Sequence, residues 1–345
     1  MTDQLQIGLW GCGSMGHSLA QALIATEQAQ LAVVFDILPE AASKVASLCT
    51  AHLADSAEAL LTYPHLDGVI IALPPYLHAS AAIQAAKAGC HIFVEKPMAL
   101  STSDCRRMIE ASHDCHTQLM VGHVLRYYEP YRSILRWNRE GRFGQIRAAS
   151  IWRTTPGAKW AVEGNWRASR AQSGGFLSEV AVHELDMLRC LMGRPETVYA
   201  SELKFMPWRH EMEDYIAVQI HFAGNGAASF EGGGGTCAGR YGFRLYFEGA
   251  TILSDSAFEP QALQVFGPNG AAVETAKNDF SLEHPVQAEL RDWLAALRGE
   301  RAVPIPGEEG LANVALVEAA YRSARSRQIV TYDTQYPTSQ KGGTD

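Results

Sequence analysis

The chain has 345 residues, 47% of them apolar and 19% charged, which is too long for one ordinary core and too apolar for a disordered polymer. A formal net charge of −8 argues against nucleic-acid partners, because phosphate binding needs a basic surface. No apolar run approaches the ~20 residues of a membrane span, no basic-then-apolar leader precedes the first strand, and seven scattered cysteines make no disulfide framework. A reducing cytoplasm is the expected setting.

Leu5 to Trp10 is a short apolar run that breaks at Gly11. Ser14 to Thr26 reads as a helix, with Met15, Leu19, Ala22 and Leu23 at helical spacing. Leu31 to Phe35 is a continuous apolar strand ending in Asp36, and Pro39 to Cys49 is helical with proline near its start. Strands at 68–73, 90–94 and 118–121 then alternate with helices at 76–88 and 101–112. Strands apolar throughout and separated by helices predict a parallel sheet covered on both faces, so residues 1–123 form one doubly wound unit.

Beyond a helix at 129–139 the pattern changes. Alternating stretches at 146–152, 197–205, 215–222, 226–231 and 243–248 predict an open, mostly antiparallel sheet with one exposed face. One helix from Val180 to Met192 interrupts them, and helices at 286–298 and 308–326 close the chain. The fold class is therefore α/β: a Rossmann domain over 1–123, a second α/β domain over 124–335, and a polar tail over 336–345.

Gly11-Cys12-Gly13-Ser14-Met15-Gly16 lies between the first strand and helix. Gly11 permits a tight turn, Gly13 lets the backbone approach a pyrophosphate, and Gly16 allows helix and strand to pack closely. Free N–H groups at the helix start face the anion. Asp36 ends the next strand where the fingerprint expects a carboxylate for the ribose hydroxyls, and no basic residue follows it directly, so NAD is expected over NADP, with Ile37 beside it.

From Asp67 the chain reads Asp-Gly-Val-Ile-Ile-Ala-Leu-Pro-Pro-Tyr-Leu-His and later Ala-Gly-Cys-His-Ile-Phe-Val-Glu-Lys-Pro. With Trp166-Arg167, Ser173-Gly174-Gly175, Glu179/His183/Asp186 and Gly307-Glu308-Glu309-Gly310, it strongly resembles the Gfo/Idh/MocA family, which includes glucose–fructose oxidoreductase and inositol dehydrogenase. The resemblance implies an NAD-dependent oxidation of a sugar or polyol alcohol, or its reverse, and an open sheet that forms a homodimer or homotetramer interface. It places Leu73, Pro74 and His78 along the cofactor, and Glu95 and Lys96 beside nicotinamide and substrate. It also places Gly122, Trp166 and Arg167 near the cofactor, and an acid-base histidine at His183.

Lys96 at a strand's carboxyl end can steady developing alkoxide charge, and His183 can exchange a proton near neutral pH. Glu179, four residues before His183, shares a helical face with it and can orient the imidazole or bind a substrate hydroxyl; relatives often carry Asp there. Asp186 reads as structural, or as a hydrogen-bond partner of another polar group. Arg126, Tyr127 and Trp160 are candidate sugar contacts, with interdomain packing as the other reading of Arg126 and Tyr127. His113-Asp114-Cys115-His116 lacks a second ligand cluster and reads as solvated rather than metal-binding. Gly232 to Gly235 lacks the lysine of a phosphate loop and reads as a strand bend or a close backbone approach. Two other functions stay open: an NAD-dependent glycosidase working through transient sugar oxidation, and a noncatalytic NAD- or sugar-binding protein.

Overall fold

A computed structural model describes residues 4–156, 165–206, 211–273 and 280–334. The chain divides into two compact units. The first holds the described residues up to Val124 and Glu283–Ala312; the second holds Leu125–Leu282 and the described residues from Asn313 to Thr334. The return of 283–312 to the first unit differs from a single boundary at 123/124, and its cause is apolar. Trp293 is fully buried, with its ring 5.6 Å from that of Phe93 and its edge against Gly68. The polar tail at 336–345 and Trp160 lie outside the described residues.

The first unit runs β1 (Leu5–Trp10), α1 (Ser14–Ala25), β2 (Ala29–Phe35), α2 (Pro39–Ala46), β3 (His52–Leu53), α3 (Ala57–Leu61), β4 (Gly68–Ile71), α4 (Pro75–Lys87), β5 (His91–Glu95), α5 (Thr102–Asp114) and β6 (Leu119–Gly122). The strands form one sheet in the order β3-β2-β1-β4-β5-β6, and all its pairings are parallel. The short pieces β3 and α3 carry too few residues for periodicity to reveal. Local chemistry sets the helix starts: Ser56 and Ser101 accept the Ala59 and Asp104 amides, and Pro75 opens α4.

The second unit contains α6 (Tyr131–Arg139), β7 (Ile146–Pro156), α7 (Arg170–Ser173), α8 (Phe176–Glu179), α9 (Val182–Met192), β8 (Pro195–Leu203), β9 (Tyr215–Phe222), β10 (Gly226–Phe247), β11 (Thr251–Ser254) and β12 (Gln264–Phe266). Then come α10 (Pro285–Leu297) of the first unit, α11 (Gly307–Ser326), whose residues to Ala312 belong with the first unit, and β13 (Val330–Thr331). The sheet order is β12-β11-β10-β9-β8-β13, and β7 pairs with both arms of the long β10. Along β9, Ile216, Val218, Ile220 and Phe222 point into the core while Gln219 and His221 are exposed, the alternation of a half-covered sheet.

One expected division of the second sheet is corrected. The stretches at 226–231 and 243–248 belong to one 22-residue strand, because the glycines between them stay extended where Asp214 presses close; a Cβ on Gly233 would sit 2.1 Å from the Asp214 carbonyl oxygen. The close backbone approach expected of the glycine run is the one observed. The helix expected over 180–192 is observed as α9, which starts at Val182; a separate short helix, α8, ends just before it at Glu179.

Candidate active site

The glycine turn is built by contact. Gly11 has φ +99°, and a Cβ there would meet the Ala72 carbonyl oxygen at 2.5 Å; a Cβ on Gly16 would fall 1.9 Å from the Gly11 carbonyl oxygen. A Cβ on Gly13 would meet nothing within 4 Å, so the protein leaves open the side from which a pyrophosphate would approach. Ser14 and Met15 follow at the exposed start of α1, where the first amides have no intrahelical acceptor. Cys12 is buried and its thiol is pushed up to about 12, first by burial and then by the Asp36 charge, so it stays protonated.

Asp36 closes the turn. Its Oδ2 accepts the Cys12 amide at 2.6 Å and its Oδ1 accepts the Leu38 amide at 2.8 Å. Each oxygen keeps a second lone pair, enough for ribose hydroxyls. Ile37 and Leu38, 85% and 63% exposed, offer an apolar surface beside it. Glycine spacing, helix start and carboxylate together fit a dinucleotide.

At the same carboxyl edge of this sheet stand the segments after β4 and β5. His78 is fully buried, with Nε2 2.7 Å from the Leu73 carbonyl oxygen and Nδ1 2.8 Å from that of Pro97. Its ring therefore joins the Leu73-Pro74-Pro75 turn to the Glu95-Lys96-Pro97 turn, a linking role that sequence spacing did not disclose. Glu95 is buried and its Oε2 accepts the Lys96 amide at 3.2 Å. Gly122 pairs with Glu95, and a Cβ there would sit 3.0 Å from the Phe93 ring and 3.2 Å from Glu95 Oε1, so glycine is needed for packing in its own right. The Lys96–Pro97 peptide is cis.

In the second unit, Trp166 and Arg167 occupy a short 3-10 turn capped by Asn165, whose side chain accepts the Arg167 amide. The Arg167 guanidinium lies 4.1 Å from the centroid of the Trp166 ring, and its Nε donates to Glu179 Oε1 at 3.0 Å. Glu179 is buried, and Arg167 is the partner that gives its carboxylate a compensating charge. The Ser173-Gly174-Gly175 motif turns the chain into α8 with left-handed glycines. A Cβ on Gly175 would strike the Tyr321 hydroxyl at 2.4 Å. Glu213 accepts the Phe176 amide and pairs with Arg170; burial raises its carboxyl above the usual range against the opposing pull of Arg170.

Glu179 and His183 do not share one helical face, because the break at Val180-Ala181 separates them. The expected role of Asp186 as a structural partner is the one observed: it is fully buried, takes both Nε and Nη2 of Arg126 and accepts Asn313 Nδ2 at 2.7 Å. Arg126, a candidate sugar contact with packing as its other reading, is engaged through Nε and Nη2 by this carboxylate. Tyr127 is half-buried on the same short turn. His113 and Asp114 are 88% and 80% exposed, the solvated pair expected.

Two family profiles match nearly the whole chain: the NAD-binding Rossmann fold of the Gfo/Idh/MocA oxidoreductases over residues 5–123, and the family's C-terminal alpha/beta domain over 139–332. The chain belongs to the Gfo/Idh/MocA oxidoreductase family, and its cofactor is NAD. It is 27% identical over 335 residues to the inositol 2-dehydrogenase of Rhizobium meliloti, covering 94% of this chain and 98% of that one. It is 33% identical over 198 residues to the 2,7-anhydro-N-acetylneuraminate hydratase of Escherichia coli, a match spanning 56% of this chain and about half (51%) of that protein's length. The WlbA dehydrogenase from Bordetella pertussis, solved with NADH and UDP-GlcNAcA, superposes with a TM-score of 0.86 at 25% identity over 96% of this chain and 99% of that one. No described helix is long and apolar enough to cross a membrane.

Proposed function

We propose that this chain oxidises a secondary alcohol of a sugar or polyol to a ketone or lactone, or runs the reverse reaction, with Lys96 and His183 handling the proton. One observation carries the reading: Lys96 directly follows the carboxyl end of β5, the edge of the parallel sheet at which the glycine turn and Asp36 also stand. Bound NAD supplies the acceptor for the hydride. Ser14, Met15 and the Gly13 backbone hold its pyrophosphate, and Asp36 takes the ribose hydroxyls.

His183 removes the hydroxyl proton as the carbinol C–H bond breaks and the C=O bond forms. The Lys96 ammonium steadies the negative charge that develops on oxygen. Glu179, its charge balanced by Arg167, binds a neighbouring hydroxyl or orients the imidazole. Tyr127 and Trp160 line the sugar in this reading. The chain acts as a homodimer or homotetramer through the exposed sheet face, where Tyr199 and Tyr246 stand 40% exposed on one side.

The relative named as a hydratase favours keeping one redox-neutral alternative, in which a sugar is oxidised transiently and NAD is returned unchanged. A panel of inositols, aldoses and anhydro- or aryl-glycosides with NAD and NADP separates the two. Net NADH from free polyols supports dehydrogenation; product or aglycone release without net NADH supports the alternative.

A further inference from the structure

The second unit holds a buried ionic cluster with no part in the chemistry above. Glu184 is 0% exposed, and its Oε1 accepts Arg153 Nη1 at 2.9 Å and the Tyr241 hydroxyl. The Tyr131 hydroxyl lies 3.5 Å from that of Tyr241, and the Arg153 guanidinium sits 4.8 Å from the Tyr241 ring centroid. Burial, reinforced by the Glu184 charge, raises both phenols far above their ordinary range, so they remain hydroxyl donors at neutral pH. Glu184 Oε2 has no hydrogen-bond partner among the described residues. Arg153 and Tyr241 therefore supply what solvation this carboxylate has.

The position of the cluster is more informative than its energy, since a buried ion pair need not stabilise a fold. In a continuous helix the Val180 carbonyl would accept the Glu184 amide. Here that amide turns to the Ala181 carbonyl at 3.1 Å, and Val180 instead accepts Arg153 Nη1 at 3.3 Å. One nitrogen from β7 thus touches both sides of the break: Val180 after α8 and Glu184 inside α9. Glu179 and His183 flank that break directly.

We propose that Arg153, held by Glu184 and Tyr241, is a positioning residue that sets the α8–α9 break and so the direction in which His183 leaves α9. The proposal rests on the reading of His183 as the proton-handling residue. Three substitutions test it: Tyr241→Phe removes the hydroxyl and keeps the ring; Arg153→Lys keeps a cation but shortens the side chain and removes the planar guanidinium that places Nη1 against both acceptors; Arg153→Met removes the charge. In Tyr241→Phe and Arg153→Lys the chain stays folded and binds NAD within about 3-fold of the parent. The His183 titration, followed by NMR on histidine-labelled protein, moves by about half a pH unit or more. Turnover of the alcohol that gives the fastest NADH formation falls ~10- to 100-fold with little change in its KM. In a His183→Ala background Arg153→Lys adds no further loss, because it acts through that residue.

If Arg153→Met unfolds, the two milder variants decide. An unchanged His183 titration and parental turnover in both folded variants overturn the proposal alone. A full additional loss from Arg153→Lys in the His183→Ala background also overturns it, because the effect would then bypass His183. Parental turnover in His183→Ala itself overturns the reading of the site, and the proposal falls with it.

Discussion

Asp36 and Cys12 are joined by a 2.6 Å hydrogen bond from the Cys12 amide to Asp36 Oδ2, so the carboxylate at the end of β2 also fixes the turn at the end of β1. In the proposed reading the carboxylate that takes the ribose hydroxyls is therefore also tied to the turn that would hold the pyrophosphate, and replacing it would disturb both. Asp36→Ala is expected to raise the Kd for NAD by ~10- to 100-fold, the cost of a lost charge-assisted hydrogen bond, and to narrow the preference over NADP. Fluorescence titration with both cofactors checks this. An unchanged ratio would contradict the assignment of Asp36.

The three glycines of the turn separate into two kinds. Gly16→Ala puts a Cβ 1.9 Å from a backbone oxygen, so unfolding free energy should fall by several kcal/mol, on the order of other severe backbone clashes. Gly13→Ala meets no protein atom within 4 Å. It should melt like the parent while binding NAD at least ~10-fold more weakly, since the added methyl occupies space the cofactor needs. Thermal melts with and without NAD distinguish the two.

Arg167→Met is expected to remove the guanidinium that faces the buried Glu179 carboxylate. Turnover should fall, and Glu179→Gln in the same chain should recover stability, because a buried carboxylate that has lost an opposing charge costs more than a neutral amide. A double-mutant cycle read by urea denaturation measures the coupling. Strict additivity would mean that the pair contributes nothing.

Asp186→Ala removes the acceptor of two Arg126 nitrogens and of Asn313. Breaking a buried pair of this type costs ~3–5 kcal/mol. The urea midpoint should drop by that equivalent. A change near zero would show that Arg126 finds solvent instead.

His91 gives a pH signature to stability. Burial lowers its pKa below 6.5, against the opposing charge of Asp67, and its Nδ1 accepts the Gln118 amide as a neutral ring must. The unfolded chain therefore binds a proton that the folded chain does not in the window below 6.5. This contribution is complete above 6.5 and is lost as pH falls through that value towards the lowered one. Tm measured across that range should decline more gently in His91→Gln than in the parent.

The Rossmann half was legible in the sequence because its signals are local. Gly11, Gly13 and Gly16 act within one turn, and apolar runs such as Gly68–Ile71 declare strands buried on both faces. The second sheet was legible in alternation, but Gly232–Gly235 concealed that β10 is continuous, because what presses against the run is Asp214, in the turn just before β9. The same limit applies to the turn between α8 and α9: periodicity gave the helix over 180–192, but not the short α8 before it nor the contact of the Val180 carbonyl with Arg153 of β7. The resemblance placed His78 along the cofactor, but gave no sign that its ring lies between carbonyls of two different turns.

The most direct measurement compares the parent, Lys96→Ala and His183→Ala in two assays: NADH formation from the best polyol or sugar in the panel, and NAD binding by titration. The expected result is turnover reduced by ~10²-fold or more in each variant, the scale of a lost acid-base group, with NAD affinity within a few-fold of the parent. Full turnover in either variant, or product formed by the parent with no net NADH, would contradict the proposed dehydrogenase relay.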